Sequence, residues 1–366
     1  MSAALLFVVR SARSAIVIAA LAGVAFPIPA RAQPPTIPAV EPHPYDSLLA
    51  RYRSGAVESA VAALTKLLEA DGGQRQATRW IARARDMNRR EDLEAALLLY
   101  TDAIMLAWQD DHPFPAAAVA RYTAPFMGLR LALKRMDPKT PFLRSWYLLW
   151  ESFRQVHVNQ SLPLDLDFLA DALDAFPNDS RMLLAAGARH QLTWWMSLEN
   201  AQRDPDSEPP AITKLLMEAR GYLRRSLKAD AKESEARLRL VNVLLELNDL
   251  GDVPGLLSGH NWTADGPAFE YLARLFEGDL HERRGDRPAA AAAYDRAIGL
   301  VAVPQSARVA RAHVAHLEGQ RAQAAALVTP ALANRDDRMD PWWPYIRGQA
   351  WRFDSYLKLV HAMVIK

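Results

Sequence analysis

The sequence predicts an all-α chain, a solenoid of antiparallel helix hairpins stacked side by side, on three observations. Gly285 and Gly319 stand 34 residues apart, and Ala290 and Ala324, Tyr294 and Val328, and Ala297 and Ala331 keep the same spacing. A fixed period of this length in helix-forming sequence marks repeated helical hairpins. Apolar residues recur at three- and four-residue steps, as in Leu238, Val241, Leu244 and Leu245, which is the period of a helix with one buried face. No stretch alternates apolar and polar residues long enough to suggest a sheet. Stacks of this kind usually present surfaces to other molecules and rarely perform chemistry.

The chain opens with Arg10 and Arg13, then the apolar residues 15–26, broken by Pro27 and Pro29. Ala30-Arg31-Ala32 supplies the small-x-small pattern of a cleavage site. At about 12 residues the apolar run is short of the roughly 20 that span a bilayer as a helix. Residues 1–32 are therefore expected to be a cleavable export signal of bacterial style. The mature chain is then periplasmic or secreted, with no stable membrane insertion; a retained anchor is the alternative. The chain has no cysteine, which excludes disulfides, thiolate metal sites and a lipid-modified cysteine anchor.

Residues 33–44 carry five prolines in twelve positions, a density that favours extended polyproline II and reads as a linker. Residues 45–202 read as divergent helical hairpins, 203–210 (RDPDSEPP) as an acidic exposed loop, and 211–339 as regular hairpins. Residues 340–366 read as a capping segment and helix, because a terminal repeat has no neighbour to cover it. Trp146, Tyr147, Trp150 and Phe153 lie at helical spacing and are expected to pack between hairpins. An aromatic ligand pocket is the other reading of them.

The period resembles the tetratricopeptide repeat (TPR) family, whose 34-residue hairpins carry small residues where helices approach and an aromatic between them. Residues 271–298 carry the pattern best, with Gly278, Gly285, Ala290, Tyr294 and Ala297. The next unit keeps Gly319, Ala324 and Ala331. An earlier one has Trp80, Ala84, Ala96, Tyr100 and Ala103, with Glu91 at the turn where glycine is usual. Phe176-Pro177-Asn178-Asp179 followed by Gly187 resembles a repeat junction. The resemblance implies a right-handed superhelix with a concave groove lined by the first helix of each hairpin.

Carrying the groove positions over residue by residue gives Asp279, Glu282 and Arg283 in one unit and His313 and His316 in the next. The period then sets Asp279 beside His313 and Glu282 beside His316. Such an acid–imidazole cluster could respond to pH or hold a metal, or be ordinary solvated groove residues. In the N-terminal unit the same positions give Arg85, Asn88 and Arg89, a basic patch suited to a carboxylate.

Lys plus Arg number 44 against 42 Asp plus Glu, a net charge of +2, so no basic excess speaks for nucleic acid. There is no phosphate-cradling GxxxxGK[ST] and no GxSxG elbow. The carboxylate pairs Asp110–Asp111 and Asp165–Asp167 sit at loop edges, where capping explains them. The expectation is a non-catalytic scaffold without cofactor or metal, binding a protein or peptide partner in its groove. An envelope enzyme acting on glycan through the divergent middle segment, and a structural homo-oligomer, are the alternatives.

Overall fold

The computed structural model describes residues 44–70, 89–109, 116–157, 167–203, 212–333 and 340–365, with Thr78, Ile81, Ala82 and Arg85. The expected export signal, nearly all of the expected linker, Trp80, Ala84, Asn88 and residues 204–210 lie outside the described residues.

The described residues are helical and contain no strand. In order they form α1 (Pro44–Arg53), α2 (Val57–Glu69), α3 (Arg90–Gln109), α4 (Ala116–Met136), α5 (Pro141–Val156), α6 (Leu169–Ala175), α7 (Ser180–Arg203) and α8 (Ile212–Ala229). There follow α9 (Ser234–Glu246), α10 (Val253–Ser258), α11 (Pro267–Arg283), α12 (Arg287–Ile298), α13 (Gln305–Leu317), α14 (Arg321–Ala333), α15 (Trp342–Ile346) and α16 (Phe353–Val364).

Local chemistry sets the ends of these helices. Thr140 caps α5 by accepting from Leu143 N at 3.1 Å, with Pro141 in the first turn, where its missing N–H costs nothing. Asp286 caps α12 in the same way through Ala289 N at 3.1 Å. Gly285 and Gly319, the residues that define the period, adopt φ of +76° and +79°. After Gly285, Asp286 N donates to His281 O at 2.9 Å and Gly285 N to Glu282 O at 2.8 Å. Gln320 N and Gly319 N repeat the pattern onto Ala315 O and His316 O. This is a Schellman cap, which turns the chain sharply while satisfying the last carbonyls. Two further turns use it: Gly55 after α1, and Asn248 (φ +53°) after α9.

The 34-residue unit also shows why its small residues are small. A Cβ on Gly278 of α11 would lie 2.2 Å from the Tyr294 ring of α12, so only glycine admits the tyrosine there. Gly187 of α7 stands in the same relation to Leu223 of α8, at 2.7 Å.

Consecutive helices pack on one another, as in α3 on α4, α7 on α8, α11 on α12 and α13 on α14. The odd-numbered helices also form a row of their own, since α1, α3, α5, α7, α9 and α11 each pack on the next. The helix of Ala96 and Tyr100 is α3, which begins at Arg90 and so includes Glu91, the residue expected at a turn; it packs on α4 as well as on α2 and belongs to this row.

Among the described residues lie two apolar clusters. One gathers α1 to α6 around Phe126, Trp146, Trp150, Phe153 and Phe168, the two tryptophans stacked at 5.9 Å and 19°. The middle aromatics are thus core, as expected, and Trp146 Nε1 donates to Thr101 Oγ1 at 2.9 Å. The second cluster runs from α7 to α13. They divide along α7, whose Met182 and Ala185 join the first and whose Leu184 and Trp194 join the second.

The C-terminal segment departs from the expected terminal cap. Helix α16 packs on α5 and α3, placing Tyr356, Val360 and Val364 in the first cluster, while Tyr345 belongs to the second. Residues 340–365 therefore cross the odd-numbered row instead of closing the last hairpin. The physical reason is burial: spacing of Tyr356, Val360 and Val364 by four gives α16 one apolar stripe, and α3 and α5 cover it.

Candidate functional site

The predicted groove residues fall into two places. Arg85 is exposed on a helical residue, whereas Arg89 is ion-paired with Asp92, which also holds Arg53 at 2.7 Å. Arg90 pairs with Glu94 at 3.3 Å. The basic patch is thus largely met by carboxylates of its own chain, and Arg85 and Arg89 line different cavities.

On α11 and α13 the side-chain pairing differs from the expected one. His313 Nε2 faces Glu282 at 3.6 Å, while Asp279 accepts from Arg283 Nε at 2.8 Å. Glu282 also accepts from Tyr294 Oη at 2.7 Å. His313 and His316 are exposed, with Val309 and Leu317 of the same helix 51% and 44% exposed. Burial pushes the Arg283 guanidinium down, but Asp279 and Glu246 outweigh it, so its pKa is raised. Among the described residues no group of three or more His, Cys, Asp or Glu is placed to hold a metal ion.

A larger constellation lies where residues 340–365 cross the row, and sequence reasoning did not find it. Asp340, fully buried, accepts from Tyr271 Oη of α11 at 3.1 Å and Ser306 N of α13 at 2.6 Å. Arg239 of α9, also fully buried, donates to two main-chain carbonyls, Tyr345 O at 3.0 Å and Gly348 O at 2.5 Å. Its guanidinium lies 4.6 Å from the centre of the Tyr345 ring. From α5, Gln155 Oε1 accepts from Gln349 N at 2.5 Å. From α7, Gln191 Oε1 accepts from Arg239 at 2.8 Å, and its Nε2 donates to Asn242 and Tyr345 Oη.

Glu235 is the charged centre of this arrangement. It accepts from Arg239 Nε at 2.9 Å within α9, and from Gln349 Nε2 at 2.9 Å and Arg352 Nε at 2.8 Å on the crossing segment. Burial pushes its carboxyl up, but Arg239 and Arg352 overcome that and hold it below the usual carboxylate range. Burial likewise acts downward on Arg352, and Glu235 reverses it. Farther along, Asp102 of α3 accepts from Tyr52 Oη of α1 at 2.6 Å and contacts His361 Nε2 of α16 at 2.9 Å.

Gly348 is the tightest point. Its φ is +71°, and a Cβ there would meet Gln155 Oε1 at 2.1 Å. Chemically, the odd-numbered row recognises main chain: a guanidinium and an amide, both fixed by buried partners, satisfy carbonyls and an N–H of an irregular segment. Unpaired, those main-chain groups would each cost about 1–3 kcal/mol in the interior.

The carboxylates of the middle segment are engaged by arginine. Glu151 is buried and accepts from Arg189 Nε at 2.7 Å, and Arg189 Nη1 reaches Asp167 at 2.7 Å. Burial raises and Arg189 lowers the Asp167 pKa, with a net depression; Asp171 is depressed between Arg130 and Lys134. Asp167 also accepts from Leu169 N at 3.1 Å ahead of α6, whose N-cap position is held by Phe168 without a side-chain cap. No family model matches this chain, and comparison with curated proteins finds no match.

Proposed function

We propose that this chain is a non-catalytic binding module of the TPR type, a superhelical stack of hairpins exported to the bacterial cell envelope. It takes a peptide segment of a protein partner on the face formed by α3, α5, α7 and α9. The observation that carries this reading is the seat of residues 340–352 on that face, where Arg239 and Gln155 bond to main chain and not to side chains alone. Main-chain recognition supplies affinity that a partner's backbone can reproduce, with pockets for side chains supplying selectivity. The arginine-engaged carboxylates of the middle segment suit structural ion pairs better than acid–base chemistry, which needs a carboxyl raised toward neutral pH.

Exposed Val309, His313, His316 and Leu317 favour a second contact patch on α13, bordered by Asp279, Glu282 and Arg283 of α11. The test is selection of peptides from a displayed library by the full chain carrying Arg352→Ala and Tyr356→Ala, which loosens the resident segment and leaves the face intact. Selected peptides are expected to compete with a synthetic peptide of residues 340–365. Selection of no peptide, or of peptides that this synthetic peptide leaves bound, would sink the assignment of the face. Loss of the selected peptides in a His313→Ala, His316→Ala variant would move the contact to α13. N-terminal sequencing of the exported chain tests the signal, with cleavage after Ala32 expected.

A further inference from the structure

Beside the crossing segment is a cavity of about 290 Å³. Ala268, Phe269 and Leu272 of α11 line one side, and Pro344, Tyr345 and Trp351 of the C-terminal segment the other. Trp351 stands at its rim, 44% exposed, edge-on to Phe269 at 6.4 Å and 73°. Such a volume is at the small end of ligand sites and admits a ring or fused pair of rings. Aromatic walls favour a flat guest, by offset or edge contacts.

The charge of the site decides what kind of guest. Glu235 is the acidic residue among the lining, and both its oxygens are taken, one by Arg239 and Gln349 and the other by Arg352. The Arg352 guanidinium is in turn stacked 4.3 Å from the Trp351 ring centre. A charged guest would lose its water and find no uncommitted counter-charge.

We propose that this cavity is a binding site for a small, uncharged aromatic molecule, and that its occupation fastens the C-terminal segment to α11. The guest touches both walls, so it binds the crossed arrangement more tightly than any arrangement in which the segment has left, and shifts the equilibrium accordingly. This inference is independent of what the face itself binds.

The test titrates the full chain with indole by calorimetry, with tryptamine and indole-3-carboxylate as cationic and anionic counterparts. Indole is expected to bind saturably at one site, and the two charged molecules at least tenfold more weakly. Ala268→Phe fills the cavity from an exposed position in the first turn of α11 and is expected to abolish binding while the thermal transition stays in place. Trp351→Ala removes one wall and is expected to weaken indole at least tenfold, which serves should the first variant misfold. Hydrogen exchange over residues 340–352 is expected to slow severalfold at saturating indole. Absence of saturable indole binding, equal binding of the charged molecules, unchanged binding by a folded Ala268→Phe chain, or unchanged exchange of the segment would each overturn the proposal.

Discussion

Arg352 donates from Nε to Glu235 Oε2 across 2.8 Å, joining positions 117 residues apart in sequence. Glu235 is 2% exposed and holds Arg239 as well, so one buried carboxylate balances two guanidiniums. Removing one member of a buried charged set leaves the others uncompensated, at about 3–5 kcal/mol. Glu235→Gln is therefore expected to lower the stability of the chain by that order in urea unfolding. It is also expected to speed hydrogen exchange over residues 340–365 before the other helices respond.

The same carboxylate sets a pH dependence. Its pKa in the folded chain lies below the ordinary value of 4.5, because Arg239 and Arg352 outweigh burial. A depressed carboxylate contributes stability that is fully present above the unfolded-state value and is lost as pH falls through the folded-state value. The C-terminal segment is expected to stay seated from pH 8 to about pH 5 and to loosen below about pH 4. Exchange rates measured against pH check this, and Glu235→Gln is expected to remove most of the acid step.

Gly348 tests the close approach of segment and row. With φ of +71° and Gln155 Oε1 2.1 Å from a built Cβ, alanine there meets both backbone strain and a clash. Gly348→Ala is expected to cost about 1–3 kcal/mol. Adding Gln155→Ala relieves the clash and leaves the strain, so the double variant is expected to lose less than the sum of the two single losses. A double-mutant cycle by denaturant unfolding measures the difference.

Two glycines of the 34-residue unit are expected to fail for different reasons. Gly285→Ala costs about 1 kcal/mol through positive φ alone, since nothing lies within 4 Å of its Cβ. Gly278→Ala drives a methyl into the Tyr294 ring, an overpacking worth about 1–3 kcal/mol. Tyr294→Leu is expected to rescue the second substitution and not the first, as thermal unfolding of the four variants would show.

The all-helical class was legible because Gly285 and Gly319 fix two identical turns by a requirement that only backbone conformation imposes. The same cap at Asn248 escaped notice, since asparagine in the left-handed region carries no glycine signal, and α10 between it and the next hairpin is a short helix. The middle aromatics were legible as core from their spacing. The site on the row was not. Glu235 and Arg239 sit at i and i+4, a spacing that reads in sequence as an exposed helix pair; their burial depends on residues more than a hundred positions away. Likewise Asp340-Pro341-Trp342-Trp343 signals a chain break and apolar burial, but not which helices cover it. His313 illustrates a smaller limit: a fixed period places the helices, while side-chain reach decides that it meets Glu282 and not Asp279.

The measurement that bears most directly on the proposed peptide recognition by the row begins with a protease site inserted between residues 333 and 340 of the full chain. After cutting, residues 340–365 are expected to remain associated through gel filtration and to exchange with a labelled synthetic copy, with at least tenfold weaker retention when Arg239 is replaced by Met. Separation of the cut segment from a body that keeps its helical signal and fails to bind the labelled copy would contradict the account.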